Sequence, residues 1–433
     1  MTIDIQKLRL EGIYPQRQKE FHMQRVKLAA GIISSDQALK VAQVAERYAR
    51  GLVHLTTRGS IELHWLTLED LAPVAVQLAS VGLVNRGACG GAVRGVVCGS
   101  LSSSALPELE ALARRIHRHF TGNPRFENLP KKFKVGIEAD TASGRHLIQD
   151  VGLVCTGSAE GKNRFDVYCA GGLGREPQPG FLLAQGVAEE SLLPLIETIA
   201  RLYRENTPPP KRLKFLVRQI GEQAFRDMVF AQPGVLDELP IAPTLSASLV
   251  PAPQQELRLV ARVFAGELSC HTLATLAGIA RDYCGGMLMV TGDQNIEMHL
   301  VSGEDRTLAL QLLGEAGFAA ESARERVTFR VCPGNHECIM GLAPTREVAG
   351  ELLDAMGPAA QALTWAISGC PNCCAQPQLS RAGVVANRLV KEEGSEERTP
   401  RYDLYQAGSA PFAEAVKQGL TREELVEAVR QLG

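Results

Sequence analysis

The sequence has no segment built to enter or cross a membrane. Its start, Met1-Thr-Ile-Asp-Ile-Gln-Lys7, has no apolar core of signal-peptide length, and no run of about eighteen apolar residues occurs anywhere. A cytoplasmic location with no membrane partner is expected. A surplus of one charge is also missing, since 46 Lys and Arg stand against 48 Asp and Glu, a net of −2. A phosphate-tracking surface shows as basic excess, so no nucleic-acid partner is expected and any cationic site must be local. The Gly-rich stretch Ala170-Gly-Gly-Leu-Gly174 lacks both the GxGxxG spacing and a following acid. No flavin or nicotinamide site is therefore expected.

A disulfide framework is not expected either. Eleven cysteines in 433 residues without a secretion signal belong to a reducing compartment. Cys89, Cys98, Cys155, Cys169, Cys270 and Cys284 are scattered among apolar residues and read as small buried hydrophobes. The other five are clustered in Cys332-Pro-Gly-Asn-His-Glu-Cys338 and Cys370-Pro-Asn-Cys373-Cys374. Gly and Pro beside the thiols mark loops that can turn tightly around a bound object. The wide first spacing is wrong for a zinc ribbon, which prefers close CxxC pairs. It suits an iron–sulfur cluster on four thiolates, with Cys373 spare; zinc and a purely structural cluster are the alternatives.

The rest of the chain reads as mixed helix and strand. A polar arm from Gly12 leads into a strand at about 22–28. Ser34 caps a helix ending at Tyr48, with Leu39, Val41, Val44 and Ala45 at helical spacing. Val53–Thr57 and Ile61–Trp65 form a hairpin whose turn presents Arg58, and a second helix fits about 69–80. Laying Met23–Leu83 on Arg258–Phe318 without a gap matches Gly31 to Gly266, Ser34 to Ser269, Tyr48 to Tyr283 and Thr56 to Thr291. It also matches Ile61, Glu62 and His64 to Ile296, Glu297 and His299. The chain is thus a duplication of a strand–helix–hairpin–helix unit. The expected parts are an arm and first repeat at 1–83, a first lobe at 84–231, and a Pro-rich linker at 232–257. A second repeat at 258–318 and the thiol lobe at 319–433 complete the chain. Carried past the repeat, the same overlay sets the loop after Arg94 against Cys332 and Leu129–Lys134 against the segment before Cys370. Two copies packed about a pseudo-two-fold axis would bring cations from one half and thiols from the other to a single interface. His64 and His299 are repeat-equivalent strand residues, so a structural role is expected for them.

Cys332-x5-Cys338 followed by Gly369-Cys-Pro-Asn-Cys-Cys374 resembles the signature of the sirohaem and 4Fe-4S sulfite/nitrite reductase family. The likeness covers nearly the whole chain. Met-Gln-Arg25-Val-Lys, His54-Leu-Thr-Thr-Arg58, Val93-Arg94-Gly-Val-Val-Cys98, Leu-Pro-Lys-Lys132-Phe-Lys134 and Gly171-Gly-Leu-Gly174 resemble that family's other loops, in its order. Two places depart from the pattern: Val93 stands where the family often has Asn, and Ser380-Arg381-Ala-Gly383 lacks an acid that the first half keeps in Asp150-Val-Gly152. The resemblance implies an α+β fold of two pseudo-two-fold-related, ferredoxin-like and sirohaem-binding halves, with the cofactors at their interface.

It further implies that Cys332, Cys338, Cys370 and Cys374 hold the cluster and that Cys374 also bridges to the sirohaem iron. Arg25, Arg94, Lys132 and Lys134 would hold the anionic substrate, while Thr56, Arg58 and Asn372 would contact the haem periphery. The chemistry agrees, because a buried polycarboxylate needs cationic partners. Each S–O cleavage also needs a nearby acid, and crowded lysines are better acids. The implied activity is six-electron reduction of sulfite to sulfide, with electrons from ferredoxin or a separate reductase subunit. Nitrite reduction to ammonia is the runner-up. Nitrite-reducing relatives commonly carry Asn at the place of Lys134, and the second lysine suits the more highly charged sulfite. Precorrin-3B synthase, a homologous oxygen-using enzyme that tends to lose the lysine pair, and a haem-free electron-transfer protein are further alternatives.

Overall fold

The computed structural model describes residues 5–98, 107–159, 162–235, 257–318, 327–392, 394 and 397–432. Most of the expected 232–257 linker lies outside the described residues. Among them no helix is long and apolar enough to cross a membrane.

The strands of the first repeat are β1 (Ile13–Pro15), β2 (His22–Val26), β3 (Ile32–Ser34), β4 (Leu52–Leu55) and β5 (Ile61–Leu66). The first lobe holds β6 (Val97–Cys98), β7 (Val135–Glu138), β8 (Val151–Ala159), β9 (Lys162–Cys169) and β10 (Phe181–Ala188). The second repeat has β11 (Arg258–Ala261), β12 (Glu267–Ser269), β13 (Met287–Val290) and β14 (Ile296–His299). The thiol lobe has β15 (Thr328–Val331), β16 (Thr364–Ser368), β17 (Ala382–Lys391), β18 (Arg398–Gln406) and β19 (Glu414–Leu420).

Each repeat lends one strand to the other. The first repeat sheet runs β1-β2-β5-β4-β12 and the second β11-β14-β13-β3. Ser269 pairs with Leu52 and Ser34 with Met287, so the exchange is reciprocal. Two glycines make the close approach possible. A Cβ on Gly31 would lie 2.2 Å from the Val290 carbonyl oxygen, and one on Gly266 would lie 2.9 Å from that of Leu55, its repeat counterpart. Both sit at positive φ, which a side chain disfavours.

The same capping chemistry starts the long helix in both copies. Ser34 Oγ accepts from Gln37 N at 3.2 Å, and Ser269 Oγ accepts from Thr272 N at 3.0 Å. The helices Ser35–Tyr48 and Cys270–Tyr283 bury Ala38, Val41, Val44, Leu273, Leu276 and Ala280 in one core that spans both repeats. The second helix of the first repeat runs Leu71–Ala79. A repeat cut from its partner would lose both a strand and half of this core.

The two lobes also share one topology. In each, two parallel pairings are followed by two antiparallel ones, in the orders β6-β7-β8-β9-β10 and β15-β16-β17-β18-β19. Helices Pro107–Phe120 and Glu189–Asn206 supply Leu109, Leu112, Ile116, Leu195, Ile196 and Ile199 to the first lobe's core. In the thiol lobe, Thr345–Ala355 and Arg422–Arg430 pack Val348, Leu352, Leu425 and Val429 around fully buried Trp365.

Candidate active site

The thiol loops leave the C-terminal ends of two neighbouring parallel strands. β15 and β16 pair Val331 with Ile367, so Cys332 emerges beside the segment that carries Cys370. Gly369 N donates to Cys332 Sγ at 3.1 Å, and Leu342 N to Gly369 O at 2.6 Å. The stretch between Cys332 and Cys338 folds as a single helical turn, Gly334–Glu337. It closes against Gly341, where a Cβ would stand 2.2 Å from the Gly334 backbone.

Cys370 is buried, Cys332 and Cys338 are half-buried, and Cys374 is exposed. Burial pushes the Cys332 and Cys370 thiols up and the Cys338 thiol to about 11, and the facing Cys374 raises all three further. Thiols that disfavour each other's thiolate form suit a site where metal supplies the positive charge. Among the described residues no three His, Cys, Asp or Glu side chains stand close enough for a single ion. Four thiols on two adjoining loops are a donor set that an iron–sulfur cluster takes. Cys373 has partners of its own, since Gln378 Nε2 donates to its sulfur at 3.2 Å and its thiol faces Pro371 O at 3.6 Å. Asn372 is exposed, and its backbone and side chain partly offset the upward push of burial on the Cys370 thiol.

The cations come from the first half. Arg25 on β2 ion-pairs with Glu62 on β5, which also meets His64 Nε2 at 3.4 Å. Arg58 sits on the turn between β4 and β5 and donates to Gln149 Oε1 at 3.2 Å and Gly95 O at 3.0 Å. Arg94 donates to the carbonyls of Gly87, Gly90 and Ala92. Its backbone N–H reaches Phe133 O at 2.9 Å, joining that loop to Lys132 and Lys134. Behind them Asp150 accepts from Lys134 N at 2.8 Å and from Arg212 Nη2 at 2.7 Å.

Charge in this group is unbalanced. Arg25, Arg58, Arg94, Lys132, Lys134 and Arg212 act on one another, with Glu62 and Asp150 as the carboxylates facing them. Burial and the neighbouring arginines hold Arg58 down at about 9. Burial, partly opposed by Cys374, brings Lys132 to about 8. Lys134 is pushed well below the usual lysine range by burial and by Arg58 and Lys132. An uncompensated buried charge costs several kcal/mol, whereas one hydrogen bond returns about 1 kcal/mol. The cradle therefore fits a polyanionic guest, as a haem bearing many carboxylates would be.

The electrostatic reach of Cys374 to Lys132 and Arg25 places the thiol loop and the cations face to face, as expected from the repeat. The residue equivalence behind that expectation is different. β6, β7 and β8 register Val97 with Gly136 and Gly136 with Gly152; in the thiol lobe Arg330 pairs with Ala366, and Ala366 with Gly383. Lys134 thus matches Thr364, at the start of its strand, while Cys370 lies past the strand's end. The overlay slips because the lobes carry loops of different length, and the N-terminal end of β7 faces the C-terminal end of β16.

Thr56 and Thr57 divide their work. Thr56 Oγ1 accepts from Arg58 N at 3.3 Å and Ser60 N at 3.2 Å, building the turn. Thr57 Oγ1 instead donates to Cys374 O at 2.8 Å, and Gln376 Nε2 donates to Thr57 O at 3.2 Å. Sequence reasoning missed Thr57, Gln149, Arg212 and Lys214, whose ammonium donates to Gly172 O at 3.2 Å and Leu173 O at 3.3 Å. Arg212 and Lys214 stand at the start of the helix Leu213–Ile220 and belong to no motif. Glu62 was visible as a repeat identity, and its counterpart Glu297 pairs likewise with Arg258 and His299.

Two family descriptions match the chain. A nitrite and sulphite reductase 4Fe-4S domain matches residues 87–233, and a nitrite/sulfite reductase ferredoxin-like half domain matches 14–81 and 252–316. Relatives include a protein named sulfite reductase (ferredoxin) 1 of Mycolicibacterium paratuberculosis, 24% identical over 87% of this chain and 72% of the relative. A ferredoxin–nitrite reductase of Synechococcus elongatus is 26% identical over 95% and 85% respectively. The solved structure of the Mycobacterium tuberculosis NirA protein superposes with a TM-score of 0.83 at 21% identity, covering 98% of this chain and 85% of that one.

Proposed function

Because this chain belongs to the sirohaem and 4Fe-4S sulfite/nitrite reductase family, we propose that it reduces sulfite to sulfide with electrons from a ferredoxin-type protein or a separate reductase subunit, in the cytoplasm. The observation that carries this reading is the surplus of cations facing Cys374, including two lysine ammoniums that have no hydrogen-bond partner among the described residues. Cys332, Cys338, Cys370 and Cys374 would hold the cluster, with Cys374 shared with the haem iron. Arg58 and Asn372 would contact the haem periphery, together with Thr56, which shapes the turn that presents Arg58. When bound, the two cofactors would relay the donor's electrons and supply the iron at which the substrate's central atom is reduced.

The protein's own part is to hold the oxyanion and feed it protons. Arg25 and Arg94 bind the substrate oxygens as fixed charges, since each guanidinium is already oriented by its own partners. Lys132, poised at about 8, and Lys134, pushed well below the usual lysine range, give up protons to departing oxygens more readily than ordinary lysines would. Two lysines suit sulfite, the more highly charged anion. Nitrite is the second reading, favoured by the nitrite reductase relative that covers 95% of the chain. Comparing kcat/KM for the two anions with a dye donor, in wild type and Lys134→Asn, tests the assignment. Sulfite should be preferred, and the variant should lose about tenfold on sulfite and less on nitrite. A large wild-type preference for nitrite, or equal losses, would overturn the sulfite assignment.

A further inference from the structure

Asp293 holds, in the second hairpin turn, the position that Arg58 holds in the first. Its carboxylate meets two buried guanidiniums. Arg145 Nη2 donates to Oδ1 at 2.6 Å, and Arg330 Nη1 donates to the same oxygen at 3.2 Å. The other arm of Arg330 donates to Gln376 O at 3.2 Å and to the Ser380 hydroxyl. Those acceptors bracket the segment just after Cys374, so Arg330 fixes the course of that loop. On the other side, the Arg145 carbonyl accepts from Gln149 Nε2 at 3.1 Å, and Gln149 Oε1 accepts from Arg58 Nη1 at 3.2 Å. One carboxylate therefore stands between the loop of the exposed thiol and the guanidinium on the opposite face of the site.

We infer that Asp293 is a positioning residue that sets the separation of Cys374 and Arg58, and with it the geometry of the cofactor pair between them. The inference rests on the reading above, in which cluster and haem share Cys374. A carboxylate suits the task because it accepts from two guanidiniums at once and neutralises part of their charge, while the other arm of Arg330 holds Gln376 and Ser380. The molecule supplies its own control for a merely structural role. Glu297, in the same repeat, is fully buried and paired with Arg258 at 3.0 Å and His299 at 2.9 Å, on β11 and β14 rather than on the thiol loops.

The test compares Asp293→Asn and Glu297→Gln as holoenzymes of matched cofactor content. Electron paramagnetic resonance, haem midpoint potential and dye-driven kinetics provide the readouts. Both variants should lose thermal stability. Only Asp293→Asn should alter the spectroscopic signature of haem–cluster coupling, and its kcat should fall about tenfold while KM for the anion stays within about threefold. If Asp293→Asn does not fold, Arg330→Lys carries the same expectation, because a lysine keeps the charge facing Asp293 but cannot fork onto Gln376 and Ser380. A wild-type coupling signature in the folded variant, or the same change in Glu297→Gln, overturns the inference. A wild-type holoenzyme without any coupling overturns the functional reading instead, and the same spectra separate the two failures.

Discussion

The two hairpin turns, Thr56–Ser60 and Thr291–Asn295, are built alike and used differently. In the first, Thr56 Oγ1 accepts from Arg58 N at 3.3 Å and Ser60 N at 3.2 Å; in the second, Thr291 Oγ1 accepts from Asp293 N at 3.3 Å and Asn295 N at 3.2 Å. The threonine and its two backbone hydrogen bonds are unchanged, while the other four turn residues differ and the tip reverses its charge. Arg58 is a cation whose burial holds it down at about 9, with no carboxylate among its hydrogen-bond partners in the described residues. Asp293 is an anion held low, against its burial, by two arginines. Beside it Gln294 replaces Gly59 and donates to Val331 O at 2.9 Å while accepting from Val331 N, which stitches the turn to the strand that leads into Cys332. A duplicated scaffold can thus keep its hydrogen bonds while one copy turns a charge toward a guest and the other spends the opposite charge on holding the frame.

Six substitutions probe this division of labour, from the largest expected effect to the smallest. Cys374→Ser removes the thiolate that the cation half faces, so turnover should fall to the dye background and the coupling signature should vanish. Full activity with both cofactors bound would contradict the shared thiolate. Arg58→Asp gives the first turn the tip of the second. The new carboxylate would pair with the neighbouring Arg25, Arg94 and Arg212 in place of the guest, so it should cost about a hundredfold in kcat/KM and lower the haem content, measured by absorbance per chain.

Lys27 and Arg262 contrast the halves through pH. Lys27 is buried, donates to Arg86 O at 3.0 Å and Thr121 Oγ1 at 2.9 Å, and is lowered to about 7 by burial and Arg94. Its repeat counterpart Arg262 is exposed. Between about pH 7 and the ordinary lysine range the unfolded chain binds a proton at Lys27 that the folded chain lacks, so stability must rise with pH there. Apoprotein Tm should climb across that window in wild type and in Arg262→Met, and should climb less in Lys27→Met. Smallest are the helix caps. Ser34→Ala and Ser269→Ala should each cost about 1 kcal/mol by denaturant unfolding. Ser269 should cost slightly more, because its hydroxyl also hydrogen-bonds the Thr272 hydroxyl at 2.7 Å, whereas the Ser34 N–H keeps its bond to Gln37 Oε1 in the alanine variant.

How much of this was legible in the sequence depends on how local each signal is. The repeat, its hairpins and the Ser34 cap rest on neighbouring residues and periodicity, and the structure shows them where they were expected. The thiol spacing and the cation loops carried the family and the opposed faces of the site. The register between lobes was not legible, because insertions move residues without changing the strand pattern; Lys134 therefore matches Thr364 rather than the residue before Cys370. Nor could sequence distinguish Thr57 from Thr56. Adjacent threonines on a turn point to opposite sides, and only the approach of the Cys374 loop shows which one is shared. Asp293 and Arg330 were silent for the same reason, since their meaning lies in partners 37 residues apart and beyond.

The exchanged strands have a consequence for how such a division could arise. Two identical half-length chains that each lend a strand to the other form a closed symmetric dimer, and in a dimer every substitution appears twice. An arginine at the tip of one turn would then have meant an arginine at both. Once the interlocked copies lie on a single chain, each mutation strikes once, and the old symmetry axis becomes the one place where unlike residues can meet across a shared guest. Interlocking also keeps the copies from drifting apart as their surfaces diverge, so the asymmetry of this centre rests on β3 and β12 still lying in each other's sheets.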